Sequence, residues 1–156
     1  MIVTLEGRYL DAAIDKPSWQ ADMKAKRDER RSFQFVADPD RIGAMGEAAL
    51  CQYLGIDPSV EMFKHDPALP DVRGIEVKTV TKRHYCLLIR DPKPATLPHV
   101  LAFDAGDGKT VDLLGWATPQ FINTFPLRTD RGHPPARFIP PDRLNTDLRP
   151  LREAVA

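Results

Sequence analysis

The stretch Pro70-Asp71-Val72-Arg73-Gly74-Ile75-Glu76-Val77-Lys78-Thr79 decides how this chain is read. Alternate side chains of a strand share one face. Glu76 and Lys78 therefore point one way, and Ile75 and Val77 point the other way into apolar packing. An acid and a base stand side by side on what reads as an interior strand, Ile75 to Val80. Arg73-Gly74 reads as a turn. A chain folding back there brings the Asp71 carboxylate toward Glu76.

The triplet acid-x-Lys is weak by itself. It occurs four times, at Asp22-Lys24, Glu76-Lys78, Asp91-Lys93 and Asp107-Lys109. The first lies in a polar helical stretch, the third in a proline loop and the fourth in a glycine turn. Only Glu76-Val77-Lys78 has alternating apolar partners and a Pro-Asp upstream.

The elements around it follow from periodicity and punctuation. Upstream, Asp38 or Asp40 caps a helix that stops at Gly55. Ile42, Met45, Ala49 and Tyr53 line one stripe of it. Gly43 and Gly46 cost that helix about 1 kcal/mol each against alanine; close approach to another backbone would offset the cost. Residues 17 to 31 read as an earlier helix with Pro17 in its first turn and a basic end containing Lys24, Lys26, Arg27, Arg30 and Arg31. Strands are expected at 2–5, 60–64, 75–80, 85–90, 99–103, 111–116 and near 138. A short helix is expected at 119–123, and a terminal one at 144–155, broken by Pro150. Helices, then a set of strands, then mixed elements indicate one α/β domain over residues 1–156, with its core at about 40–116.

Composition narrows the classes. The 156 residues carry 22 basic and 22 acidic side chains, a net charge of zero. That excludes a protein that coats nucleic acid or membrane by bulk charge. No apolar run approaches the roughly 20 residues of a membrane span. The N-terminus lacks a secretory pattern. Cys51 and Cys86 read as reduced core residues of a cytoplasmic protein. The charge is unevenly spread. Residues 38–71 hold seven acids against two bases, and residues 73–93 hold six bases against two acids.

Pro70-Asp71 followed by Glu76-Val77-Lys78, with Glu47 in GAMGEAAL (43–50) on the preceding helix, resembles the signature of the PD-(D/E)XK nuclease superfamily. It resembles in particular small phage-type and Holliday junction resolvase-like members. The resemblance covers roughly residues 40–116 and implies a restriction-endonuclease-like fold, a central mixed sheet flanked by helices. Only four residues separate Asp71 from Glu76, so Asp66 is the second candidate for the aspartate. The implied activity is Mg²⁺-dependent hydrolysis of DNA phosphodiesters, with Mn²⁺ as a substitute ion and a homodimer as one assembly. A role in phage DNA recombination, repair or degradation is part of the same implication.

The implied catalytic set is Glu47, Asp71, Glu76 and Lys78. Asp71, Glu76, the Val77 carbonyl and Glu47 would hold metal. Magnesium suits such hard oxygen donors and keeps several waters. Lys78 would stabilise developing charge. Lys82, Arg83, His84 and Arg73, with Lys26 and Arg30 on the first helix, are candidates for phosphate contacts. Arg128, Arg131, His133 and Arg137 form a looser basic stretch.

The alternatives are a binding module without cleavage, an RNA nuclease on the same scaffold, and a phage structural or assembly protein. A Walker A loop, zinc-ligand spacing and a Gly-x-Ser-x-Gly elbow are all absent.

Overall fold

The computed structural model describes residues 1–27, 38–129 and 134–156. In chain order the elements are β1 (Ile2–Thr4), α1 (Gly7–Arg27), α2 (Asp38–Leu54), α3 (Pro58–Glu61), β2 (Glu76–Val80) and β3 (Leu87–Ile89). Then come β4 (His99–Asp104), β5 (Thr110–Ala117), α4 (Pro119–Ile122), β6 (Arg137–Ile139), a 3₁₀ turn (Pro141–Arg143) and α5 (Arg149–Val155).

The fold is α/β. Four strands form a mixed sheet in the order β1-β5-β4-β2. β2 runs parallel to β4, while β4 with β5 and β5 with β1 are antiparallel. A separate antiparallel ribbon joins β3 to β6. β5 alternates half-buried and buried residues along its whole length, as a strand packed on one face does.

One sheet face carries the larger core. Val77, Val100, Ala102, Val111 and Leu113 pack there with Ala44, Ala48 and Cys51 of α2 and Leu151 of α5. The other face carries a smaller core in which Leu101 and Val80 meet the β3–β6 ribbon and Ile122 of α4. No helix among the described residues is long and apolar enough to cross a membrane.

Gly46 seats α2 on β2. A Cβ at this position would lie 2.0 Å from the Thr79 hydroxyl oxygen and 3.2 Å from a Val77 methyl. The expected close approach is therefore made, though against side chains rather than backbone. Gly43 faces open space, and nothing in the packing explains it.

Four expectations need correction. α1 begins at Gly7 rather than Pro17, and Pro17 lies inside it. The spacing of Tyr9, Ala12, Ala13 and Lys16 is i, i+3, i+4, i+7, which carries the helix through this segment. Residues 60–64 form no strand. Asp57 N-caps α3 by accepting from Ser59 N–H at 3.0 Å, and Pro58 follows in the first turn, a start signal that outweighs the β-propensity of Val60. Pro150 opens α5 instead of breaking it. Among the described residues β2 pairs only with β4 and so is an edge strand, whose N–H and C=O groups on the far side are outside that ladder. Arg30, Arg31, Arg131 and His133 lie outside the described residues.

Candidate active site

Arg73 and Gly74 both take positive φ, 44° and 78°. Val72 and Ile75 exchange two backbone hydrogen bonds across them, at 3.0 and 2.8 Å. This is a two-residue turn with left-handed central residues, which matches the twist of tight hairpins. It reverses the chain so sharply that Asp71 returns to the start of β2. Asp71 Oδ2 accepts the Val77 N–H at 2.9 Å. The short spacing between Asp71 and Glu76 is thus closed by the tightest available loop.

The turn is anchored. The half-exposed Arg73 donates its backbone N–H and its Nε to the buried Glu61, at 2.9 and 3.1 Å. Lys64 Nζ bonds Glu61 and the Pro70 carbonyl, each at 2.8 Å. Burial pushes the Glu61 carboxyl up, but its bonds from Lys64 and Arg73 outweigh this and hold it below the usual carboxylate range. Arg73, expected to contact phosphate, is committed to this anchor.

Glu76 and Lys78 share a face, as the alternation requires. With His99, Arg90 and Lys93 they line a cleft of about 330 Å³. The Glu76 carboxyl lies within hydrogen-bonding reach of Asp71. Burial raises its pKa first and the Asp71 charge second, while Lys78 and Lys64 oppose the rise. His99 pairs in register with Glu76, and its Nδ1 lies 3.0 Å from the Leu97 carbonyl. Since a carbonyl only accepts, Nδ1 carries the proton. Burial keeps this imidazole below its usual pKa, assisted by the Lys78 charge. The loop behind Arg90 and Lys93 is fixed. Asn123 makes two hydrogen bonds to the Ala95 backbone, and the buried Arg137 bonds the Lys93 carbonyl at 3.3 Å.

Glu47 lies on the opposite side of the sheet edge. It projects from α2, the helix that covers the Val77–Thr79 face, and its carboxylate meets the Lys16 ammonium of α1. Both side chains are about nine-tenths buried. They line a second cleft with Asp71, Lys64 and Trp19. Burial pushes the Glu47 carboxyl up to about 7, against the pull of Lys16 and with a further push from Asp71. Asp71 therefore stands at the strand edge between two clefts, with Glu76 on one side and Glu47 on the other. Asp66 is exposed and caps the Ala68 N–H at 2.9 Å. Asp71, not Asp66, is the aspartate at Glu76.

The expectation that Glu47, Asp71 and Glu76 form one ion cluster is not met. Among the described residues no three Asp, Glu, His or Cys side chains come together as a metal-holding group. Two carboxylates do come together, and they raise the cost of each other's charge. Glu76 N–H bonds the Pro98 carbonyl in the ladder, so the next residue's groups face the open edge. The Val77 carbonyl shares that edge with the N–H held by Asp71. Asp71, Glu76 and the Val77 carbonyl are hard oxygen donors, the kind magnesium takes, and would be the groups to hold such an ion with water completing its shell.

Lys82, Arg83 and His84 are exposed in the turn that follows β2, whose far end at Val80 lies about 13 Å from Glu76 at the usual rise. Arg83 pairs with Asp112 and stacks over Phe103. Lys26 is exposed near the end of α1. None of these four reaches the carboxylates. The bases that border them, Lys16, Lys64, Arg90 and Lys93, were not among the expected site residues, and neither was His99. Lys16 was discoverable, because it occupies a core-facing position of the Tyr9–Lys16 stripe.

Comparison of this chain with protein families, with curated proteins and with solved structures finds no match.

Proposed function

We propose that the chain is a divalent-metal-dependent nuclease that hydrolyses DNA phosphodiesters on a restriction-endonuclease-like fold. The observation that carries this reading is the return of Asp71 to β2. It puts two carboxylates together at an open strand edge, with Lys78 on the face of Glu76.

Asp71, Glu76 and the Val77 carbonyl would hold the ion. Bound there, magnesium supplies Lewis-acid stabilisation of the phosphoryl oxygens and a more acidic water. Water attacks phosphorus in line, the bond to the leaving oxygen breaks, the proton lost by water passes to solvent, and the leaving oxygen takes a proton from solvent to become a hydroxyl. Lys78 sits beside Glu76 and neutralises charge that grows on the phosphate. Arg90 and Lys93 flank the same cleft and hold neighbouring phosphates. His99 lines the same cleft, and its Nδ1 bond to the Leu97 carbonyl leaves Nε2 as the acceptor of the ring.

Cleavage of supercoiled plasmid with Mg²⁺ or Mn²⁺ and with chelator tests the reading. Metal-dependent nicking that Glu76→Ala and Lys78→Ala both abolish supports it. Cleavage that survives these substitutions overturns the site. A second reading, a DNA-binding module with little cleavage, is favoured by one observation, the engagement of Glu47 with Lys16 instead of Asp71. DNA retention without cleavage in any metal would establish that reading.

A further inference from the structure

Lys16 is buried where lysine is expensive to bury. It extends from the inner stripe of α1, and its ammonium is held by Glu47 inside the cleft that Asp71 also lines. A buried ammonium persists only where an anion meets it. Here the anion is the acid expected, from the sequence, to join a metal cluster. The Asp71 charge is felt at Glu47 across this cleft. Glu47 and Asp71 face one space, which Lys64 also lines, but Lys64 is engaged with Glu61 and the Pro70 carbonyl, and Lys16 is the cation that meets Glu47 directly.

We propose that Lys16 is a tethered cation that occupies the place of a second divalent ion between Glu47 and Asp71, leaving one ion position, at Asp71 and Glu76. The inference rests on the nuclease reading above. α1 supplies the cation from outside the core of that reading. The position is filled permanently by folding, so it cannot respond to metal concentration. Lys16 acts through Glu47, its ion-pair partner in the cleft that Asp71 lines, and is a positioning residue.

Counting ions tests it without reference to turnover. Mn²⁺ is titrated calorimetrically into the full chain in the absence of DNA. The wild type should bind one ion, Lys16→Met two, and Lys16→Arg one. The double variant Lys16→Met with Glu47→Gln should return to one. Mn²⁺ should also raise the melting temperature of Lys16→Met by more than that of the wild type. If Lys16→Met folds only with metal, it is refolded in Mn²⁺, gel-filtered, and its ions counted by atomic absorption; two ions per chain supports the proposal. One ion in Lys16→Met, or two in the wild type, overturns the role of Lys16 and leaves the nuclease reading standing. A wild type that binds no ion overturns both.

Discussion

Asp71 Oδ2 accepts the backbone N–H of Val77 at 2.9 Å, six residues downstream. One carboxylate thereby fixes the start of β2 and also interacts with Glu76. The two duties separate by substitution. Asp71→Asn retains an oxygen for Val77 and should change stability by no more than about 0.5 kcal/mol, while losing Mn²⁺ at the Asp71–Glu76 position. Asp71→Ala should lose the ion and about 1 kcal/mol as well, the net worth of a typical hydrogen bond. Urea unfolding beside Mn²⁺ calorimetry checks both.

Lys78 is exposed on β2 and supports no packing. Lys78→Met should leave the unfolding midpoint unchanged and lower kcat on plasmid DNA by about 10²- to 10³-fold, the usual loss on removing one preorganised charge stabiliser. Equal kcat in variant and wild type removes Lys78 from the chemistry.

Gly46 has no room for a methyl group against Thr79. Gly46→Ala should destabilise the fold by about 1–3 kcal/mol, as overpacked cores do, despite the better helix propensity of alanine. The Thr79 hydroxyl is buried and has no hydrogen-bond partner among the described residues, so Thr79→Ala alone should cost little. The double variant should recover most of the loss, giving a coupling of opposite sign to the single effects in a denaturation cycle.

Glu61 holds the Arg73 turn, and its carboxyl sits below the usual range in the fold. A group depressed on folding stabilises above its unfolded value, near 4.5, and loses that contribution as pH falls through its folded value. Glu61→Gln should lower stability by about 2 kcal/mol at pH 7, through weakened charge-assisted bonds. The gap to the wild type should shrink as pH drops below 4.5. Thermal melts from pH 3 to 7 measure the gap.

Arg90 and Lys93 border the carboxylate cleft, whereas Arg83 is paired with Asp112 far along β2. Replacing Arg90 and Lys93 together by alanine should reduce the salt slope of DNA binding by about 2, near 0.9 per lost phosphate contact. Arg83→Ala should leave the slope close to that of the wild type. Binding isotherms across a range of salt decide between the two ends of the strand.

The sequence made much of this legible. The placement of α2, β2, β4 and β5 followed from caps and alternation, and Gly46 flagged a close approach before any partner for it was visible. Asp71, Glu76 and Lys78 came from local pattern, and a two-residue turn brought them together. What stayed hidden was relative placement across the sheet. Alternation says which residues share a face, but not which face a neighbouring helix covers. Glu47 therefore fell on the wrong side of β2 for Glu76. Lys16 and Lys64 come from distant segments whose only signals were helical spacing and a cap. The opposed charge blocks of the sequence also do not stay apart, because Lys16, Lys64 and Arg73 thread between the acids.

The edge position of β2 has a consequence for how the molecule behaves in company. An unpaired strand edge invites another chain to add a strand. At Val77 the N–H that would greet a newcomer is already taken by Asp71, and the space in front of it is crowded with negative charge. The acid that equips the edge for chemistry also plugs it against self-association. An Asp71→Ala preparation should be the stickier protein as well as the inactive one, aggregating sooner on concentration than Glu76→Ala, which leaves the plug in place.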